Sequence, residues 1–78
     1  MDIKFEVFNV VSEIFEIPFD KIQENMTSSD IAEWDSLGQL NLIMAIENKF
    51  GIKFKVEDIF NITTVDSIKE FVTKRVNA

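Results

Sequence analysis

The chain has 78 residues, 46% of them apolar, with 2 Gly, 1 Pro and neither Cys nor His. That length predicts one domain, residues 1–78, with a modest core and no deep substrate cleft. The missing residue types exclude disulfides, Ser-His-Asp and Cys-His catalysis and the usual zinc sites, and a net charge of −6 argues against nucleic acid as a partner. So little Gly and Pro favours short helices over a turn-rich β-sandwich. The acid is uneven: residues 1–35 hold nine Asp or Glu against two Lys, residues 36–78 five against six Lys or Arg. No apolar run is long enough to cross a membrane and no basic segment leads into an apolar one, so a cytoplasmic monomer is expected.

Asp2 can cap a first helix. Ile3, Val7, Val10, Val11 and Ile14 then recur at three- and four-residue steps, which predicts an amphipathic helix to about Glu16. Phe5, Phe8 and Phe15 make it more apolar than a surface helix needs, so some of them should reach under the loop that follows. Ile17-Pro18 ends the helix, because the residue before proline is driven out of the helical region.

A long connection runs from Pro18 to Asp35. Phe19, Ile22, Met26, Ile31 and Trp34 are spaced along it, so it should lie packed on the helices. Asp20-Lys21-Ile22 suits a single turn, and Ser28, Ser29 and Asp30 suit another. Trp34 reads as a staple fixing the entry of the next helix, packed on the core.

Asp35 is a good N-cap for a helix from Ser36 to about Phe50, with Gly51 as its stop. At about 100° per residue its apolar residues form two stripes. Gln39, Leu42, Ile43, Ile46 and Phe50 share one side, which a small core needs. Leu37, Leu40, Met44 and Glu47 share another, with Ser36 at its head. That second stripe is apolar surface beside a hydroxyl at a positive helix end, a place suited to an anionic phosphodiester.

Ile52 and Phe54 alternate with lysines in a short extended link and should tuck inward. Val56 to Phe60 allows one or two helical turns, closed by Asn61. Thr63 or Thr64 caps a last helix from about Val65 to Val76, with Val65, Ile68, Phe71, Val72 and Val76 on its apolar face. The expected fold is all-α: a four-helix bundle of three main helices and one short third helix, with a long first loop.

Asp35-Ser36-Leu37 at the head of a helix resembles the DSL motif of acyl carrier proteins. LNLIMAIENKFGI is similar to their second helix and DIFNITTVDSIKEFV to their third and fourth, so the resemblance spans essentially the whole chain. It implies 4′-phosphopantetheine esterified to Ser36 by a phosphopantetheinyl transferase, carrying acyl or aminoacyl groups as thioesters, with no catalysis by the chain itself. It implies that Asp35 and Leu37 frame the attachment site. Leu37, Leu40, Met44 and Glu47 would face partner enzymes (acyl-activating ligases, synthases or transferases), and Val56, Ile59 and Ile62 would line a second wall beside the arm. A sequestered acyl chain would enter between the second and third helices.

The chain departs from fatty-acid carriers at Gly38, Asn41 and Asn48, where those tend to be acidic or polar. The WDSLG form looks more like specialised stand-alone carriers, loaded by adenylating ligases or serving polyketide and peptide pathways. Asp30, Glu33 and Asp35 would supply electrostatic steering in place of an acidic helix. Three alternatives stay open on sequence. One is a carrier for housekeeping fatty-acid synthesis, and one is an unmodified helical adaptor binding through the Leu37–Met44 stripe. The third has that stripe covered by the long loop, with Glu47 a solvated charge and Ile62 simply core.

Overall fold

The computed structural model describes residues 2–77. It has four helices, α1 (Ile3–Phe15), α2 (Ser36–Phe50), α3 (Val56–Asn61) and α4 (Val65–Val76), and no strand among the described residues. The all-α expectation and its element order hold. A single helical turn, Phe19–Lys21, interrupts the long loop where Asp20-Lys21-Ile22 suggested one.

The helix ends follow from local chemistry. Asp2 accepts the Phe5 N–H and caps α1; Asp35 accepts the Gly38 N–H and caps α2. Of the two threonines expected to cap α4, Thr64 does so, accepting the Ser67 N–H while Ser67 Oγ takes the Thr64 N–H in return. Gly51 closes α2 at φ 66°, in the left-handed region, with the Ile52 N–H reaching back to the Glu47 carbonyl. α1 ends the same way without a glycine. Glu16 sits at φ 55°, and the Ile17 N–H reaches the Ser12 carbonyl at 3.1 Å. The helix therefore stops one residue before Glu16, through a left-handed cap as well as through Pro18.

α1 packs on both α2 and α4. Val7, Val10, Val11 and Phe15 of α1 meet Leu42, Ile43 and Ile46 of α2 and Val65, Ile68 and Val72 of α4 in one buried cluster. Each fully buried Leu or Ile contributes about 1.5–3 kcal/mol by leaving water. The long loop adds Ile22, Ile31 and Trp34 to that cluster, as its apolar spacing implied. It is tied down further where Val65 and Asp66 donate their N–H groups to the carbonyls of Met26 and Glu24, at 3.1 and 2.8 Å. The Glu24 carboxylate also bridges Lys4 of α1 and Lys69 of α4. Phe15 stacks on Trp34, with centroids 5.6 Å apart.

One expectation fails at an edge: Val76, placed on the apolar face of α4, is exposed in that helix's last turn. Of the three α1 phenylalanines expected under the loop, Phe15 is buried against Trp34 and Phe8 is half-buried, whereas Phe5 lies against Phe19 with both rings open to solvent.

α3 has no buried residue of its own. Polar ties hold it: Asp58 Oδ2 accepts the Lys55 N–H at 3.0 Å and pairs with Arg75 of α4, and Gln39 of α2 donates to the Ile59 carbonyl and to that of Ile62 just past the helix end. The Lys55 N–H, opposed by partial burial and reinforced by Arg75, holds the Asp58 carboxyl below its ordinary range.

Candidate functional site at the head of α2

Asp35 has extended backbone, and its carboxylate takes the Gly38 N–H at 2.8 Å. The cap is thus supplied by Asp35, which leaves Ser36, the first helical residue, exposed with its hydroxyl on the positive end of α2. Asp30, Glu33 and Asp35 are all exposed around this end. Gly38 is buried. A Cβ there would stand 2.0 Å from the Glu33 carbonyl oxygen and 3.1 Å from a Phe15 ring carbon. On sequence Gly38 is a departure that weakens the helix; in the structure it is what lets the loop cross the first turn of α2.

Ser36 opens onto a groove of about 770 Å³. One wall is α2, through Ser36, Gln39 and Leu40. The other is α3, through Val56, Ile59 and Phe60. Ser28, Trp34, Asp35, Ile62 and Thr63 complete its lining. The groove lies between the second and third helices, beside the Ser36 hydroxyl, and its walls are mainly apolar. A flexible phosphodiester-linked chain starting at Ser36 fits this shape.

Leu37 is 68% exposed, and Leu40, Met44 and Val56 are more than half exposed. The long loop does not cover them, because Ile22, Ile31 and Trp34 bind it elsewhere. These four make an apolar patch running from the head of α2 to α3. Ile59 is half-buried on the groove wall. Ile62 is only 3% exposed, so it closes the groove from the core side and is not a surface contact. Glu47 is half-buried, and Oε2 accepts the Phe54 N–H at 2.9 Å, so its carboxylate also braces the link into α3.

Two site residues escape a sequence reading. Phe60, 79% exposed, extends the apolar wall on α3. Its only signal is a large aromatic at the end of a helix too short to bury it. Periodicity places Gln39 on the core stripe. It is half-buried there, accepting the Trp34 indole N–H at 2.5 Å and donating to the Ile59 and Ile62 carbonyls at 3.0 and 3.2 Å. A polar residue heading an apolar stripe was the available signal.

Residues 6–72 match the family described as "Phosphopantetheine attachment site". The chain belongs to that family. It is a carrier of acyl or aminoacyl groups on a covalent 4′-phosphopantetheine arm, not an enzyme. Among its relatives, the D-alanyl carrier protein of Streptococcus sanguinis is 35% identical over 81 positions, covering all of both chains. The acyl carrier protein of Buchnera aphidicola is 30% identical over 74 positions, covering 95% of this carrier and 94% of that one. The solution structure of holo acyl carrier protein from Geobacter metallireducens superposes with a TM-score of 0.86, covering 99% of this carrier and 88% of that chain. At 23% identity it bears on the fold alone. Among the described residues no helix is long and apolar enough to cross a membrane, and no three Asp or Glu side chains gather as a metal site would need.

Proposed function

We propose that Ser36 is the attachment residue, and that this carrier works in a specialised pathway where an adenylating ligase loads it with a short acyl or aminoacyl group. The observation that carries the first part is an exposed serine hydroxyl on the capped, positive end of α2, opening directly onto the groove. Asp35 holds the helix end and keeps its orphan N–H groups ordered while Ser36 stays free to react. When joined to the chain, the arm supplies a thiol, a group that this Cys-free sequence lacks. Leu37, Leu40, Met44 and Val56, extended by Phe60, form the surface for the phosphopantetheinyl transferase and the loading enzymes.

The pathway assignment draws on α2 itself. Its first turn contains no acid, Asn41 and Asn48 are neutral and exposed, and the docking patch is apolar. Enzymes that read an acidic helix would find little charge there; the acids of the preceding loop steer instead. Full-length likeness to a D-alanyl carrier supports aminoacyl cargo. Nearly full-length likeness to acyl carrier proteins supports housekeeping fatty-acid synthesis as the second reading. A cytoplasmic, monomeric, single-domain form completes the proposal.

Incubation with coenzyme A and a promiscuous transferase should add one arm to the wild type and none to Ser36→Ala, seen by intact mass. The holo protein should then be loaded by an adenylating ligase and should support fatty-acid elongation poorly. Elongation as efficient as that given by a housekeeping carrier would decide for the second reading.

A further inference from the structure

We propose that Gln39 is a latch that bars long acyl chains from the interior between α2 and α3, so that only short cargo is sheltered in the groove. The inference rests on the carrier reading above. Gln39 is the groove-side end of the α2 stripe whose next members, Leu42, Ile43 and Ile46, are buried core. A chain growing inward from the Ser36 arm would have to pass this residue. The amide blocks it chemically as well as sterically. Oε1 holds the indole N–H of buried Trp34, and Nε2 holds two carbonyls, so one acceptor and both donor positions are in use.

Apolar methylenes can replace none of these partners. Entry would strip the indole N–H of its acceptor and the Ile59 and Ile62 carbonyls of their amide donor in a part-buried place, where the Ile59 carbonyl would keep only the Ile62 N–H at 3.3 Å, and a half-broken polar network opposes the burial that would draw the chain in. The latch also holds α3 in position, since that helix has no buried residue of its own. Opening it therefore means moving α3 as well. The consequence is selectivity by length: short groups lie in the open groove with the latch closed, whereas long ones stay in solvent.

The test attaches acetyl- and octanoyl-phosphopantetheine from the two acyl-coenzyme A donors, with loading confirmed by mass. Thioester cleavage by hydroxylamine is then timed against the same groups on free pantetheine. In the wild type the octanoyl group should be cleaved within about twofold of its free rate. In Gln39→Ala it should be protected by about tenfold, the size of one lost hydrogen bond's hold, with acetyl cleavage shifted far less than that. Trp34→Phe keeps the stack on Phe15 but removes the indole donor; it should protect octanoyl in the same direction and serves if Gln39→Ala loses its helical circular dichroism. Octanoyl protection in the wild type would overturn the latch, as would a folded variant that gives none. Failure to load either group would sink the carrier reading and the latch together, whereas loading with equal wild-type and variant rates would sink the latch alone.

Discussion

The indole N–H of Trp34 donates to Oε1 of Gln39 across 2.5 Å, joining the last residue but one before α2 to its second turn. Gln39 passes the connection on to the Ile59 carbonyl of α3 and the Ile62 carbonyl just past its end. The loop, the head of α2 and α3 thus meet at one amide beside Ser36. Removing that amide as Gln39→Ala should cost about 1–3 kcal/mol, as three partners lose their bond. Hydrogen exchange should show the loss concentrated in α3, and the emission of Trp34, the only tryptophan, should shift to longer wavelength.

Gly38→Ala separates the structure from a propensity argument. Alanine is the better helix former by about 1 kcal/mol, which alone predicts a more stable protein. A Cβ 2.0 Å from the Glu33 carbonyl predicts the opposite. The substitution should destabilise by roughly 2 kcal/mol or more, because the backbone at Glu33 must move and carry Trp34 with it. Urea unfolding reads the sign directly.

The two left-handed caps make a matched pair. Glu16 bears a side chain at φ 55°, whereas Gly51 at φ 66° does not. Glu16→Gly should raise stability by up to about 1 kcal/mol, and Gly51→Ala should lower it by about 1–2 kcal/mol, although nothing lies within 4 Å of the added Cβ. The contrast in melting temperature isolates backbone strain from packing.

Acid should loosen the fold through three paired carboxylates. Glu24, held by Lys69 and Lys4, Asp58, held by the Lys55 N–H and Arg75, and Asp66, held by Lys69, all titrate below their ordinary values. Carboxyls depressed in the folded state stabilise it above the unfolded-state value, near pH 4. That contribution is lost as pH falls through the folded values. Stability should be flat at neutral pH and fall below about pH 4. In Asp58→Asn the acid-dependent loss should shrink and α3 should already exchange faster at pH 7.

What the sequence made legible was whatever local chemistry and periodicity determine. The Asp35 cap, the Gly51 stop, the core stripe through Leu42, Ile43 and Ile46 and the exposure of Leu37, Leu40 and Met44 all follow from spacing and turn chemistry. Residues whose roles depend on a partner far along the chain were not legible. Gln39 reaches carbonyls 20 and 23 positions away, and Glu47 meets a backbone N–H in the next link. Gly38 matters only because a carbonyl five residues earlier crosses above it. Glu16 carries no sign of a left-handed cap, since that conformation is normally announced by glycine.

The most direct test maps the attachment. The chain has five serines, at positions 12, 28, 29, 36 and 67. After modification with coenzyme A and a phosphopantetheinyl transferase, fragmentation mass spectrometry should place a single arm on Ser36, and Ser36→Ala should remain unmodified while keeping its helical fold. An arm on any other serine, or an unmodified wild type, would contradict the account.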